Sequence, residues 1–130
     1  MRRHLEARGV EAAVAAEAVD ELEFQGYLDD ARFAKRYAED RRALDDWGPE
    51  RIERRLLEAG VERDLVTRAL AARGAEDELA AAVALLRRRF PTPPATDRER
   101  GRALGLLVRR GFDLELAHDA VRARSREQAA

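Results

Sequence analysis

A glycine followed by an apolar residue recurs three times in this sequence, each time within a helical pattern of apolar residues. The glycines are Gly9, Gly60 and Gly111, so consecutive copies lie 51 residues apart. A period of this length is typical of helical repeat proteins, in which each repeat buries its apolar face against its neighbours. The following positions correspond in the three copies: Leu5, Leu56 and Leu107; Val10, Val61 and Phe112; Val14, Leu65 and Leu116; Ala18, Ala69 and Ala120.

Composition favours helices along the whole chain of 130 residues. Charged residues make up 39% and apolar residues 45%, with alanine prominent and aromatic residues at only 5%. Such a sequence predicts an all-α protein. The absence of cysteine excludes disulfides and thiol chemistry. No apolar run approaches the roughly 18 residues of a membrane span, and the N-terminus does not resemble a signal peptide, so we expect a soluble cytoplasmic protein.

The repeated glycine predicts the end of one helix and the start of another. A left-handed residue that caps a helix costs least when it is glycine, and the next residue then packs back on the preceding turn. We therefore expect Val61 to contact Leu56 and Phe112 to contact Leu107, and the same turn to form at Gly9. In the third copy Asp113 is a good N-cap for the helix that follows.

A further helix precedes this pair in two of the copies. One runs from about Ala31 to Leu44, with an apolar stripe of Phe33, Tyr37 and Leu44 beside Ala34 and Ala38. The other carries Leu79, Val83, Leu86 and Phe90 on one face. Gly48 ends the first of these helices and Pro49 begins the next, while the segment 91–97 is a proline-rich loop.

The predicted architecture is therefore a curved, elongated array of tandem three-helix repeats of about 50 residues. Residues 1–28 form a partial first repeat of two helices, residues 29–74 the second repeat, and residues 75–130 the third repeat with a frayed C-terminal tail. The first repeat lacks its leading helix, and we expect this to reflect a truncated start.

The sequence contains no recognisable catalytic, metal or cofactor site. Lys35 is the single lysine and does not belong to a phosphate-binding loop, and Ser125 is the single serine. His4 and His118 have no partner at metal-ligand spacing. The pairs Asp29-Asp30 and Asp45-Asp46 are interpreted as caps at helix starts. We predict a protein that is not an enzyme and needs no cofactor.

Arginine clusters are the remaining candidates for function. The net charge is only −1, and residues 1–30 carry three arginines against eight acidic residues, which argues against a strong non-specific DNA binder. Two interpretations remain open for the clusters: solvated helix faces paired with glutamates, or a surface that meets phosphates or an acidic protein. The clusters comprise Arg41, Arg42, Arg51, Arg54, Arg55, Arg87, Arg88, Arg89, Arg109 and Arg110.

The segments "GYLDDARFAKRYAEDRR" (26–42) and "WGPERIERRLLEAGV" (47–61), with "LLRRRF" and "LVRRGF" further on, resemble the RecX family of bacterial recombination regulators. This resemblance implies tandem three-helix repeats that lie along the groove of the RecA–single-stranded-DNA filament and suppress its ATPase and strand exchange in recombination, DNA repair and the SOS response. The residues that match the family pattern are Gly26, Tyr27, Asp29, Phe33, Tyr37, Gly48, Pro49, Ile52, Leu56 and Gly60, with Gly111 and Phe112 in the third copy.

We therefore expect a monomeric negative regulator of RecA whose arginines contact the filament, with single- or double-stranded DNA as a second target. Charge reversal at Arg87, Arg88 and Arg89 should weaken inhibition without unfolding the protein. The alternative is a stand-alone nucleic-acid-binding repeat protein, which predicts salt-sensitive DNA binding without RecA. Filament capping, groove blocking and competition for DNA all remain open.

Overall fold

A computed structural model describes residues 2–127 of the chain, with side chains from residue 11 onward. The described part is all-α and contains no strand, which confirms the predicted fold class. The frayed tail predicted at the C-terminus falls partly on residues 128–130, outside the described part. None of the helices between residues 2 and 127 is both long enough and apolar enough to cross a membrane. The helices are α1 (Arg2–Asp45), α2 (Pro49–Glu58), α3 (Arg63–Ala71), α4 (Ala75–Arg89), α5 (Asp97–Arg110) and α6 (Leu114–Arg126).

The chain divides into two compact units, Met1–Phe33 and Ala34–Ala130. In the first unit, α1 continues through Gly9 and Gly26 without a break, so the predicted turn at Gly9 is wrong. The surrounding Ala, Glu, Leu and Arg residues are strong helix formers, and a glycine inside a helix costs only about 1 kcal/mol. A left-handed turn forms when tertiary packing rewards it, and residues 11–26 are exposed. The side chains of Leu5 and Val10 lie outside the described ones.

The part of α1 that belongs to the second unit is buried through its alanines. Ala34 and Ala38 have no exposed surface, whereas Leu44 is 72% exposed, and Phe33 at the end of the first unit is 47% exposed. The predicted stripe is therefore wrong at Phe33 and Leu44, whereas Tyr37 is half-buried. Residues 34 and 38 lie one turn apart on one face, where small side chains allow close packing.

The turn between α2 and α3 has the predicted geometry. Gly60 is left-handed with φ of +89°. The Val61 amide donates to the Leu56 carbonyl at 3.1 Å, and the Gly60 amide donates to the Leu57 carbonyl at 3.0 Å. These two bonds define a Schellman motif, and the expected apolar pair, Val61 with Leu56, is buried.

The turn between α5 and α6 repeats this arrangement. Gly111 has φ of +97°. The Phe112 amide donates to the Leu107 carbonyl, and the Gly111 amide to the Val108 carbonyl, both at 3.0 Å. Asp113 then caps α6, because its carboxylate accepts from the Leu116 amide at 3.2 Å. The glycine turns predicted for the second and third copies are confirmed.

Other helix boundaries divide into confirmed and wrong predictions. Gly48 precedes α2 and Pro49 is its first residue, as predicted. Asp29 and Asp30 lie inside α1, so neither caps a helix start. Asp45 ends α1 and Asp46 adopts a left-handed φ of 56°, so this pair terminates a helix instead of starting one.

The third repeat has a continuous apolar core formed by α4, α5 and α6. Alanines on each helix bring the backbones close together, and branched and aromatic side chains fill the remaining space. Phe112, in the glycine turn, is the largest side chain that is almost fully buried there. The core comprises Ala82, Val83, Leu85, Leu86, Ala103, Leu106, Leu107, Phe112, Ala117, Ala120 and Val121.

Candidate functional site

Three of the candidate arginines converge on the segment that links α1 to α2. Arg88, near the end of α4, donates to the Asp46 carboxylate at 2.6 Å. Arg110, at the end of α5, donates to the Asp45 carbonyl at 2.7 Å. Arg41 forms an ion pair with the Asp45 carboxylate one turn further along α1. Arg88 and Arg110 therefore join α4 and α5 of the third repeat to the end of α1, whereas the Arg41 pair lies within α1.

Trp47 extends this junction with aromatic contacts. The Arg51 guanidinium lies over the indole ring at 4.2 Å from its centroid and donates to the Arg109 carbonyl at 3.2 Å. Tyr37 meets the same indole edge to face, with ring centroids 6.3 Å apart. A cation over an indole face is favourable, so Arg51 also has a structural role.

The backbone that leads into α2 lies against the backbone of the α5–α6 turn at Gly48 and Gly111. The Gly48 amide donates to the Arg110 carbonyl at 2.7 Å, and the Glu50 amide donates to the Gly111 carbonyl at 2.9 Å. A Cβ on Gly48 would lie 2.6 Å from the Gly111 carbonyl carbon and oxygen. The sequence predicts only a helix break at Gly48, because the contact with Gly111 joins residues far apart in the chain.

A buried ion-pair network lies beside the start of α4. Glu78 is only 4% exposed, and Arg73 donates to both of its carboxylate oxygens at 2.8 and 2.9 Å. Arg42 lies 3.8 Å from the same carboxylate and donates to the Leu70 carbonyl at 3.1 Å. Burial, with a smaller effect from Arg73, lowers the pKa of the Arg42 guanidinium below its usual value. Arg42 therefore serves the packing of the repeats.

Other candidate arginines lie at the surface. Arg87 donates to the Glu127 carboxylate at 2.8 Å, which ties α4 to the end of α6. Arg55 lies 3.7 Å from Glu58, one turn away, in an exposed pair of little energetic value. Arg54 is exposed on α2.

The remaining candidates, Arg89 and Arg109, lie together on one concave surface of the third repeat. This surface, which we call the arginine groove, has a cavity of about 580 Å³. All four arginines of the groove are exposed, and within the described part of the chain none of them forms an ion pair. The lining residues are Arg89, Phe90, Arg98, Gly101, Arg102, Leu106 and Arg109.

Two elements supply the positive charges of the groove. Arg89 is the last residue of α4, while Arg98, Arg102 and Arg109 lie along α5. Glu99, an acidic side chain beside the groove, accepts from the Ala95 amide at 2.7 Å and so belongs to the cap of α5. Four guanidinium groups without an ion pair in the described part of the chain therefore concentrate positive charge around one concavity.

The buried Arg124 binds the backbone at the end of α4, next to the groove. Arg124 is 4% exposed and donates to the Phe90 carbonyl at 2.7 Å and to the Pro91 carbonyl at 2.8 Å. These bonds fix the backbone where α4 ends, so they position the half-buried Phe90 on the groove wall.

Only two of the four groove arginines are evident as candidates in the sequence. Arg89 and Arg109 were candidates because they stand in runs of arginines, whereas Arg98 and Arg102 stand singly among other residues. The available signal was helical spacing in "DRERGRALGLLVRR", in which Arg98 and Arg102 are four residues apart. The arrival of Arg89 from another helix has no local sequence signal.

The fold defines an all-α protein of tandem three-helix domains, and its third domain has a concave surface lined by four arginines. Family comparison matches residues 29–70 to the second three-helix domain of RecX and residues 76–121 to the third.

Individual relatives give the same result. Regulatory protein RecX of Xanthomonas campestris pv. campestris (strain B100) is 39% identical over 114 residues, which cover 87% of this chain and 69% of the relative. Regulatory protein RecX of Stenotrophomonas maltophilia (strain R551-3) is 36% identical over 123 residues, covering 94% of this chain and 74% of the relative. Regulatory protein RecX of Trichlorobacter lovleyi (strain ATCC BAA-1151 / DSM 17278 / SZ) is 33% identical over 120 residues, which cover 89% of this chain and 78% of the relative. The chain therefore belongs to the RecX family of regulatory proteins.

Proposed function

We propose that this protein is a negative regulator of RecA that binds the RecA–single-stranded-DNA filament in the cytoplasm and inhibits its ATPase and strand exchange. The proposal rests on membership of the RecX family and on the resemblance of residues 26–61 to its motifs. The observation that best supports a contact with a polyanionic filament is the arginine groove, whose four guanidinium groups are not neutralised by ion pairs within the described chain.

The structure narrows the set of arginines proposed to meet the filament. Arg42, Arg51, Arg88 and Arg110 have contacts that join the repeats, and Arg41 is held in an ion pair within α1. A side chain that already holds the fold is poorly placed to exchange partners on binding. We therefore assign filament contact first to Arg89 and Arg109, with Arg54 and Arg55 as further contacts on the second repeat.

The test is the single-stranded-DNA-dependent ATPase of the cognate RecA, measured while this protein is titrated in. We expect inhibition, and half-inhibition well below one protein per RecA monomer would favour filament capping or disassembly over competition for DNA. Unchanged ATPase activity with a helical circular dichroism spectrum would contradict the proposal.

The alternative, a stand-alone nucleic-acid-binding protein, predicts a different pattern. It requires DNA binding in the absence of RecA and no change in the ATPase rate per RecA monomer at saturating DNA. Measuring both quantities on the same preparation separates the two functions, because a filament regulator lowers the rate even when DNA is in excess.

A further inference from the structure

We propose that the arginine groove binds the sugar–phosphate backbone of single-stranded nucleic acid, with Phe90 as a surface on which a base stacks. The inference deepens the proposed function by naming the DNA strand as the component that the groove meets. The binding itself requires no RecA, so it can be tested separately from the regulation.

Charge is the first argument. Arg89, Arg98, Arg102 and Arg109 contribute four positive charges to one cavity of about 580 Å³, in a chain whose net charge is −1. Arg41, Arg42, Arg51, Arg87, Arg88 and Arg110 each have an internal carboxylate, carbonyl or ring partner. The four groove arginines are exposed and form no ion pair among residues 11–127. Guanidinium groups bind phosphate oxygens through two parallel hydrogen bonds, so they suit phosphodiesters well.

Length is the second argument. Arg98 and Arg109 are eleven residues apart on α5, so their backbone positions are separated by about 16 Å along the helix axis. A single phosphate ion spans a small part of this distance. A row of charges of this length suits a polymer with regularly spaced anions, and each charge can meet a different phosphate.

Phe90 is the third argument, and it favours nucleic acid over an acidic peptide. Its half-buried ring lines both the main cavity and a neighbouring one of about 310 Å³ that also contains Arg89 and Arg102. Arg124 holds the Phe90 and Pro91 carbonyls, so the ring stands on a fixed backbone. Proteins that bind single strands combine a basic groove with aromatic rings that stack on bases.

The first experiment measures fluorescence anisotropy of a labelled oligothymidylate with the full chain, without RecA, at several salt concentrations. The double variant Arg98→Gln/Arg102→Gln should bind at least about tenfold more weakly, and the slope of log affinity against log salt should fall by about 1.4, as expected for two lost phosphate contacts. The matched control is Arg68→Gln/Arg126→Gln, which removes two exposed arginines outside the groove. Equal losses in both variants, or no binding by the unaltered protein at low salt, would overturn the proposal.

A second variant tests stacking. Phe90→Leu keeps an apolar side chain against the core but removes the ring, so affinity for the single strand should fall several-fold while affinity for a duplex of the same length changes little. Equal losses for single strand and duplex would refute the stacking contact. Polyglutamate should compete weakly, and competition as strong as that of the oligonucleotide at equal charge would assign the groove to an acidic peptide.

These results are separable from those of the proposed function. Inhibition of RecA by a protein that binds no oligonucleotide would overturn the groove assignment and leave the regulator standing. Groove-dependent binding of the oligonucleotide without any inhibition of RecA would overturn the proposed regulation and leave the groove assignment standing.

Discussion

Gly60 and Gly111 occupy the same left-handed position in consecutive repeats, but their surroundings differ. A Cβ on Gly60 would meet nothing within 4 Å, whereas one on Gly111 would lie 2.4 Å from the Arg51 Cβ and 2.6 Å from the Arg51 amide nitrogen. Gly60→Ala should therefore lower the free energy of unfolding by about 1 kcal/mol through backbone strain alone. Gly111→Ala should cost about 3 kcal/mol or more, because it also forces apart the α2 backbone.

Urea unfolding of both variants, followed by circular dichroism, checks this prediction. Since the backbone conformation is the same at both positions, Gly60→Ala is the matched control for Gly111→Ala. Equal losses of stability would mean that the close approach of Gly111 and Arg51 contributes nothing to the fold.

The buried carboxylate of Glu78 stabilises the fold through its ion pair with Arg73. Its carboxylate neutralises Arg73 and lies near Arg42, and it is 4% exposed. Glu78→Gln leaves two guanidinium groups close together without their counter-charge, and removing one partner of a buried pair costs about 3 kcal/mol. Asp77→Asn, one residue away at the start of the same helix, should cost about 0.5 kcal/mol. Thermal unfolding of the two variants should show this difference, and similar midpoints would contradict it.

At the scale of elements, α1 contains two stretches with different support. Residues 11–25 are exposed, including Val14, Val19 and Leu22, whereas Ala34 and Ala38 are fully buried. A helix without tertiary packing depends on intrinsic propensity and opens easily. Hydrogen exchange should therefore be fast for amides 14–25 and slow, near the limit of global unfolding, for the buried part of α2 around Ile52. Equal protection would show that a second surface covers residues 11–25 in solution.

The range of the contacts that form each feature decides how far the sequence predicts the fold. The turns at Gly60 and Gly111, the helix start at Pro49 and the cap at Asp113 form through contacts within a few residues, so local patterns identified them. The turn predicted at Gly9 failed because a glycine specifies a turn only when the flanking helices pack on each other. The groove shows the same limit. Arg89 belongs to α4 and Arg102 to α5, and only the packing of the third repeat brings them together.

At the scale of the whole molecule, the arginines divide into those that hold the repeats together and those that face outward. Arg88 and Arg89 are neighbours in sequence but fall on different sides of this division: Arg88 is paired with Asp46 at 2.6 Å, and Arg89 lines the groove. Charge reversal of the three consecutive arginines together would therefore mix two effects. Single substitutions in this run separate structural contacts from partner contacts.

Arg88→Glu should lower the stability of the fold and leave the potency of the folded protein against RecA unchanged. The lost pair is partly exposed and is worth about 1 kcal/mol, which corresponds to a fall in Tm of about 3 to 5 °C, increased somewhat by repulsion from Asp46. The neutral double variant Arg89→Gln/Arg109→Gln should lower Tm by a few degrees at most, because neither side chain has an ion pair in the described chain and each loses only a favourable position at a helix C-terminus. It should raise severalfold the concentration needed to inhibit the RecA ATPase. Calorimetry measures Tm and the ATPase titration measures potency, and both are carried out on the same samples of each variant. A loss of potency in the Arg88 variant while it remains folded would contradict this prediction. Such a loss would mean that the ion pair with Asp46 opens when the protein binds its partner. The division into structural and outward-facing arginines would then describe the free protein but not the bound protein.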